Sequence, residues 1–308
     1  MDLTVGPIPF FWDTSVVLQF YRELARTPVA RVVVGEWVCS KRLPFWQDAI
    51  PPALEQLQGA GKDVALTTLA LITLRRERQL ADDLFALGLP VEVNDLSALH
   101  HVPEGTPVWI GPMVNVYNEA TLEWLAGRGA VRVCLPPELP LDSVAVLART
   151  GRELGVAVEV WGHGRAPLAI SARCYHARLH DRSKDSCQFV CGDDPDGREV
   201  DTLDGEEFLV VNGVQTLARA TATAATHLAA LLEAGVSSLR LSPATGDFGA
   251  VCFAYAEFLA KGATAEEAIA RLAQIAPDAQ LSDGFLLGRP GARPIARDGA
   301  NRTATPLG

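Results

Sequence analysis

Three of the chain's six cysteines lie between Ser171 and Cys191, spaced Cys174-x12-Cys187-x3-Cys191. In a reducing compartment, thiols this concentrated point to metal ligation or redox chemistry rather than structural disulfides. Zinc and cubane iron–sulfur clusters are both held at four corners, so these three thiolates leave one corner to be filled. Cys187-x3-Cys191 suits zinc, and His176 and His180, spaced i,i+4, either complete such a site or sit as polar residues on a solvated turn. Iron–sulfur clusters often take three ligands from one stretch and a fourth from a distance. Arg173, Arg178, Arg182 and Lys184 lie among the thiols; they offset the negative charge of a thiolate-bound cluster or belong to an ordinary solvated surface. Spacing leaves zinc and iron–sulfur equally open.

The fourth ligand depends on the elements that position it. Eight short, β-branched stretches alternate with helical patterns: "LTVGPIPF", "RVVVGEW", "DVALTTLAL", "VEVND", "VWIGP", "VRVCLP", "VAVEVW" and "SSLRLSP". Several are nearly continuous apolar runs, which fits parallel strands covered on both faces. The intervening helices include Ser15 to Thr27, with Val16, Phe20 and Leu24 expected on its buried face and Leu18 close by. Others end in glycine, as at Gly88. This alternation predicts an α/β fold, a (β/α)8 barrel of the TIM type, with a doubly wound open sheet as the alternative.

The rhythm breaks between about 162 and 220, a polar, Cys-rich insertion before the last strand that contains a hairpin around Asn212-Gly213. Residues 1–288 are expected to form one barrel-like domain, and 289–308, rich in Pro, Gly and Arg, a flexible tail. Loops after the strands of such a barrel gather on one face, the face that carries function. Cys39 opens the loop "CSKR" after the second strand, and the insertion follows the seventh. Cys39 is therefore the best fourth ligand, with Cys134 in "VRVCLPP" in reserve. Cys252, in the apolar helix "FGAVCFAYAEFLAKG", reads as a small buried hydrophobe.

Other chemistry finds little support. There is no His-Glu-x-x-His and no Gly-x-Ser-x-Gly, which argues against a peptidase. "GAGKD" at Gly59 follows a helix rather than a strand and lacks the Ser or Thr of a phosphate loop, and "GHGRAP" lacks a third glycine. His163 ends a strand on the presumed functional face, to meet a cluster or substrate or simply to bond backbone. Trp37 and Trp161 end their strands as candidate shields or as core. A formal charge of −10 disfavours nucleic acid and anionic lipid as partners. An acidic, proline-broken N-terminus and the lack of a long apolar run lead to an expected cytoplasmic location with no membrane span.

Several motifs together resemble the collagenase-like peptidase family, in its branch of oxygen-independent ubiquinone biosynthesis. They are "GEWVCSKR" (35–42), "TTLAL" (67–71), "GHGRAPLAISARC" (162–174), the Cys187/Cys191 pair, "VNGVQT" (211–216) and "LRLSP" (239–243). The resemblance implies a 4Fe-4S cluster held by Cys39, Cys174, Cys187 and Cys191, in a subunit required for hydroxylation of the ubiquinone ring without dioxygen. It implies a heterodimer with a UbiU-like paralogue, a quinone precursor as substrate, prephenate as hydroxyl donor and a UbiT-like lipid-binding protein in the same pathway. Relatives hydroxylate bases in RNA. The resemblance assigns no catalytic residue to this chain. The competing expectations are a zinc-stabilised scaffold or adaptor whose partner carries the catalysis, and an RNA-base hydroxylase like those relatives.

Overall fold

A computed structural model describes residues 1–295; the part of the expected tail from residue 296 onward lies outside the described residues. Seven strands follow one another in chain order around a barrel: β1 (Asp2–Val5), β2 (Arg31–Val34), β3 (Asp63–Thr67), β4 (Val91–Val93), β5 (Val108–Ile110), β6 (Ala130–Cys134) and β7 (Ala157–Ile170). β8 (Arg198–Asp201), β9 (Glu207–Asn212) and β10 (Gln215–Thr223) then leave the ring, and β11 (Ser238–Leu241) closes it by pairing in parallel with both β1 and β7. The ring is a closed eight-stranded parallel barrel, as the alternation predicts. A short β12 (Leu281–Ser282) pairs with β10.

Helices wrap the ring: α1 (Thr14–Leu24), α2 (Leu43–Trp46), α3 (Ile50–Gly59), α4 (Arg75–Ala86), α5 (Glu119–Ala126) and α6 (Leu141–Leu154). After α7 (Tyr175–Leu179), inside the insertion, come α8 (Leu228–Ala234), α9 (Phe248–Lys261) and α10 (Ala265–Ile275). Their starts are written in the sequence. Asn118 Oδ1 accepts from the Thr121 amide at 2.9 Å, and Thr264 and Glu267 cap α10 reciprocally. Gly88 and Gly155, just past α4 and α6, take positive φ.

The main apolar core lies between strands and helices, where Val32 and Val34 of β2 meet helical residues such as Val17, Tyr21 and Leu24. The face of α1 is therefore one residue away from the expected one. Leu24 is buried as predicted, but Val16 is 46% exposed and Val17 takes its place. Phe20 is partly buried, edge-on to Trp12 and Tyr21.

The interior of the barrel holds buried charges. β4 and β11 stand four places apart in the ring, so Arg240 of β11 can reach Glu92 of β4 only across the lumen, and its guanidinium does so. Arg240 Nε also lies 2.5 Å from Glu159 Oε1 of β7. Ser238 donates to Glu159 at 2.8 Å, and Asn94 donates to Glu92 at 3.1 Å. All three charged side chains are at most 1% exposed, so their pairing offsets a large desolvation cost.

Beyond His163 the long β7 rises past the rim and pairs antiparallel with β10, which pairs with β9 and so with β8. β9 and β10 form the expected hairpin, with Asn212 opposite Gln215 and Gly213 at φ +68° in the two-residue turn. α7 and the cysteine-bearing loop lie between β7 and β8.

Candidate metal centre

Three local devices place the four candidate cysteines. Cys39 follows β2 and begins a tight turn, Ser40–Arg42, that leads into α2. The buried Glu36 carboxylate holds this turn by accepting from the Val38 and Cys39 amides at 2.6 and 2.9 Å. Cys174 caps α7, its Sγ accepting from the Ala177 amide at 3.4 Å. Between Cys187 and Cys191 the chain passes through two left-handed residues, Gln188 (φ 48°) and Phe189 (φ 56°). For side chains other than glycine that conformation costs roughly 1–2 kcal/mol per residue. Strain of this kind persists where the surroundings impose it, and it tends to cluster at functional sites.

These devices bring Cys39, Cys174, Cys187 and Cys191 to the wall of one cavity. Cys174, Cys187 and Cys191 are buried and Cys39 is partly buried. Trp37, Val38, Ala177 and Val214 form an apolar cluster with Cys174 and Cys187, and Phe189 packs against it. Cys134 and Cys252 do not line the cavity. Cys134 is fully buried in β6 opposite Glu159, and Cys252 is fully buried in α9.

Two cations from the Cys39 turn join the thiols. Lys41 Nζ lies 3.7 Å from Cys187 Sγ and donates to the Lys184 carbonyl at 2.8 Å. Arg42 is 1% exposed, donates to Asn212 Oδ1 at 2.5 Å, and has Glu36 Oε2 3.9 Å from its Nη1. Burial works against the Arg42 charge, but Glu36, then Cys191 and Cys39, outweigh it and hold the guanidinium protonated. Burial pushes the Cys39 thiol up, with Arg42 opposing and Glu36 reinforcing the rise. Burial also raises Cys174; the Ala177 amide opposes this, and the neighbouring Cys191 and Cys187 add to it. Binding a metal reverses that preference, because coordinated thiols are deprotonated.

The donor set fits a soft metal group. It offers four sulfurs, an apolar shell against water and two cations to balance thiolate charge. Lys184 also lines the cavity, whereas Arg173 and Arg178 do not. Arg182 donates to the Cys187 carbonyl at 3.4 Å, a contact that orders the loop rather than neutralising sulfur. The sequence did not mark Glu36, Arg42 and Asn212 as supports of this site. The available signal was three charges within four residues of Cys39, in a stretch too apolar to be solvated.

The remaining candidates, His176 and His180 among them, do not line this cavity. His163 is buried, with Nδ1 3.4 Å from the Tyr255 hydroxyl, and burial alone brings its pKa down to about 4. It borders a different cleft of about 440 Å³ where β7 passes the barrel rim and β11 ends, shared with Arg165, Arg219 and Gly246. Trp161 donates to the Gly164 carbonyl at 3.2 Å and serves as core, while Trp37 packs against the thiols.

Gly213 ties the hairpin to this centre. A Cβ there would lie 2.5 Å from Arg42 Nη2, at a φ of +68°. Gly213→Ala is expected to cost about 1–2 kcal/mol from backbone conformation, plus the displacement of Arg42. A urea midpoint unchanged from the parent would refute this.

Residues 18–295 match the sequence model of peptidase family U32. Among solved structures, dihydropteroate synthase from Thermus thermophilus is similar at 17% identity, over 84% of this chain and 92% of that one, with a TM-score of 0.41. An uncharacterized B. cereus protein is similar at 13% identity, over 80% of this chain and 62% of its own, with a TM-score of 0.43. An enolase from Agrobacterium radiobacter, bound to sodium and L-malate, is similar at 13% identity and a TM-score of 0.35. That match covers 52% of this chain and 44% of the enolase, so the chain spans less than half of that relative's length. Among the described residues no helix is long and apolar enough to cross a membrane.

Proposed function

We propose that this chain, which belongs to peptidase family U32, is a UbiV-like iron–sulfur subunit of an oxygen-independent hydroxylase of the ubiquinone ring. The observation that carries the reading is the meeting of four cysteines, from two segments distant in sequence, on one cavity beside Lys41 and Arg42. Cys39, Cys174, Cys187 and Cys191 would hold a 4Fe-4S cluster. When bound, such a cluster would supply one-electron transfer. The chain's own residues set the environment. Glu36 holds the Cys39 turn, Lys41 and Arg42 offset thiolate charge, and Trp37, Val214 and Phe189 keep water away.

The family name describes a peptidase, but the sequence contains neither His-Glu-x-x-His nor Gly-x-Ser-x-Gly. The proposal extends to a cytoplasmic heterodimer with a UbiU-like paralogue, a quinone precursor as substrate, prephenate as hydroxyl donor, and a UbiT-like lipid-binding protein in the pathway. The cleft beside His163, Arg165 and Arg219 is of a size suited to a small molecule. Its placement at the strand ends supports a substrate position on this face of the barrel. A zinc-stabilised scaffold is the second reading, since four thiolates also suit structural zinc.

Anaerobic purification separates the two readings. The expected product is brown, with about four irons and four sulfides per chain, the content of one cubane. A colourless protein carrying zinc at the cysteines would overturn the cluster. In cells, deleting the gene is expected to abolish ubiquinone formation without oxygen and to spare it with oxygen. Equal loss under both conditions would overturn the oxygen-independent role.

A further inference from the structure

Next to the cysteines, a second set of donors converges. One ligand atom each from His176, His180 and Asp194 lies within 4.8 Å of the others. We infer that these three residues form a separate site for a single divalent transition-metal ion of the zinc class, bound by two imidazole nitrogens and a carboxylate. The inference does not depend on the cysteine cluster, because none of its ligands lines the cysteine cavity.

His176 carries the argument. Its side chain is fully buried, and Nδ1 lies 3.2 Å from the Val211 carbonyl. A carbonyl can only accept, so Nδ1 bears the hydrogen and Nε2 of the neutral ring presents a lone pair. Nε2 lies 3.0 Å from Asp194 Oδ2, another acceptor, yet it is buried without a properly directed hydrogen bond. Two electron-pair donors this close, and poorly aligned for a shared proton, suit a cation bound to both. An imidazole oriented by a backbone carbonyl through its other nitrogen is also the usual arrangement of a metal-bound histidine.

His180 supplies the third donor. It lies four residues after His176, at the residue that ends α7, and the two rings stack with centroids 5.5 Å apart and planes 2° from parallel. Ligands about 2.1 Å from a tetrahedral zinc lie roughly 3.4 Å from one another, so a modest rotation of the unburied His180 side chain closes the site. The competing charges are weak or distant. Arg198 Nη1 is 3.9 Å from Asp194 Oδ1 on a side chain that is 59% exposed, and Arg42 acts on His176 less strongly than Asp194 does. The donors are harder than the four thiols, and three protein ligands leave a fourth position for water. A metal here would tie α7 to the Asp194 loop, clamping both ends of the segment that carries Cys174, Cys187 and Cys191.

The test uses the full-length chain with zinc or cobalt(II) alone as the probe. In a Cys39→Ser, Cys187→Ser, Cys191→Ser variant, the thiol site is gone and one zinc per chain is expected to remain after gel filtration. Its cobalt spectrum is expected to lack thiolate charge-transfer bands. His180→Ala and Asp194→Asn, both at positions that are not buried, are expected to weaken zinc binding at least about 100-fold, beyond the 10–100-fold typical of outer-shell changes. Circular dichroism checks that each variant is folded. Zinc binding lost with the cysteines, or unchanged in both His180→Ala and Asp194→Asn, overturns the site. Iron analysis of the same His180→Ala protein reads the cysteine cluster separately, so either reading can fail without the other.

Discussion

Anaerobically purified Cys187→Ala protein is expected to carry less than about a tenth of the parent's iron and sulfide, because a cubane with an open protein corner is poorly retained. Cys39→Ala should match it, while Cys134→Ala and Cys252→Ala should stay brown with parental iron. Cys187 packs within an apolar cluster and has Lys41 Nζ 3.7 Å from its sulfur. Cys39 comes from the opposite end of the chain's path to the site, so its loss tests whether the two segments share one group. Cys134 makes a poor substitute. Burial raises its thiol well above the ordinary range, Arg240 only partly opposes this, and Glu159 adds to the rise. It also faces the salt-bridged lumen rather than the cavity. Iron unchanged in Cys39→Ala and lost in Cys134→Ala would move the fourth corner to Cys134. Iron unchanged in all four variants would end the cluster proposal.

The barrel was legible because each strand advertises itself. Parallel strands covered by helices need apolar residues on the outward face, and "RVVV" or "VRVC" supplies them whatever points inward. The same habit hid the lumen. Glu92, Glu159 and Arg240 each sit singly within an apolar strand, and only the ring order shows that they meet. Their pairing is a contact between residues 148 and 81 apart in sequence, which no local pattern encodes. The helix face of α1 went astray for a smaller reason. Val16 and Val17 are both apolar, and periodicity alone cannot choose between adjacent registers when Phe20 and Tyr21 repeat the ambiguity. At the centre the thiols stood out by type, and loops after strands two and seven were expected on one face. The supporting shell of Glu36, Arg42 and Asn212 depends on the hairpin folding back over the Cys39 turn, which spacing does not reveal. Asp194 escaped for the same reason, lying in a turn-rich stretch that reads as solvent-facing.

The largest stability effect is expected in the lumen. Arg240→Met should destabilise the fold by about 3–5 kcal/mol at neutral pH, the usual cost of removing one partner from a buried ion pair. Methionine preserves much of the volume but leaves Glu92 and Glu159 without their shared cation. The pH dependence identifies the cause. In the parent, burial tends to raise the Glu159 pKa, but Arg240, then Thr4, Arg132 and Ser238, outweigh it and hold the carboxyl below its ordinary range. A depressed folded-state pKa means that Glu159 contributes its stability above an unfolded value of about 4.3, and that this contribution fades as pH falls through the folded pKa. Without Arg240 the desolvation cost dominates and the folded pKa rises above that of the unfolded chain. The sign then reverses: the group is tolerated below about pH 4.3, where it is protonated in both states, and penalises folding increasingly as pH rises. The gap between parent and variant should therefore widen from pH 5 to pH 8, as read from urea midpoints and slopes under anaerobic conditions. If Arg240→Met proves too unstable to purify, the Glu92→Met, Glu159→Met, Arg240→Met triple variant removes the orphaned carboxylates together with the cation and should recover most of the loss. A deficit equal at both pH values, or a triple variant as unstable as the single one, would show that Arg240 stabilises the barrel by filling space rather than by charge.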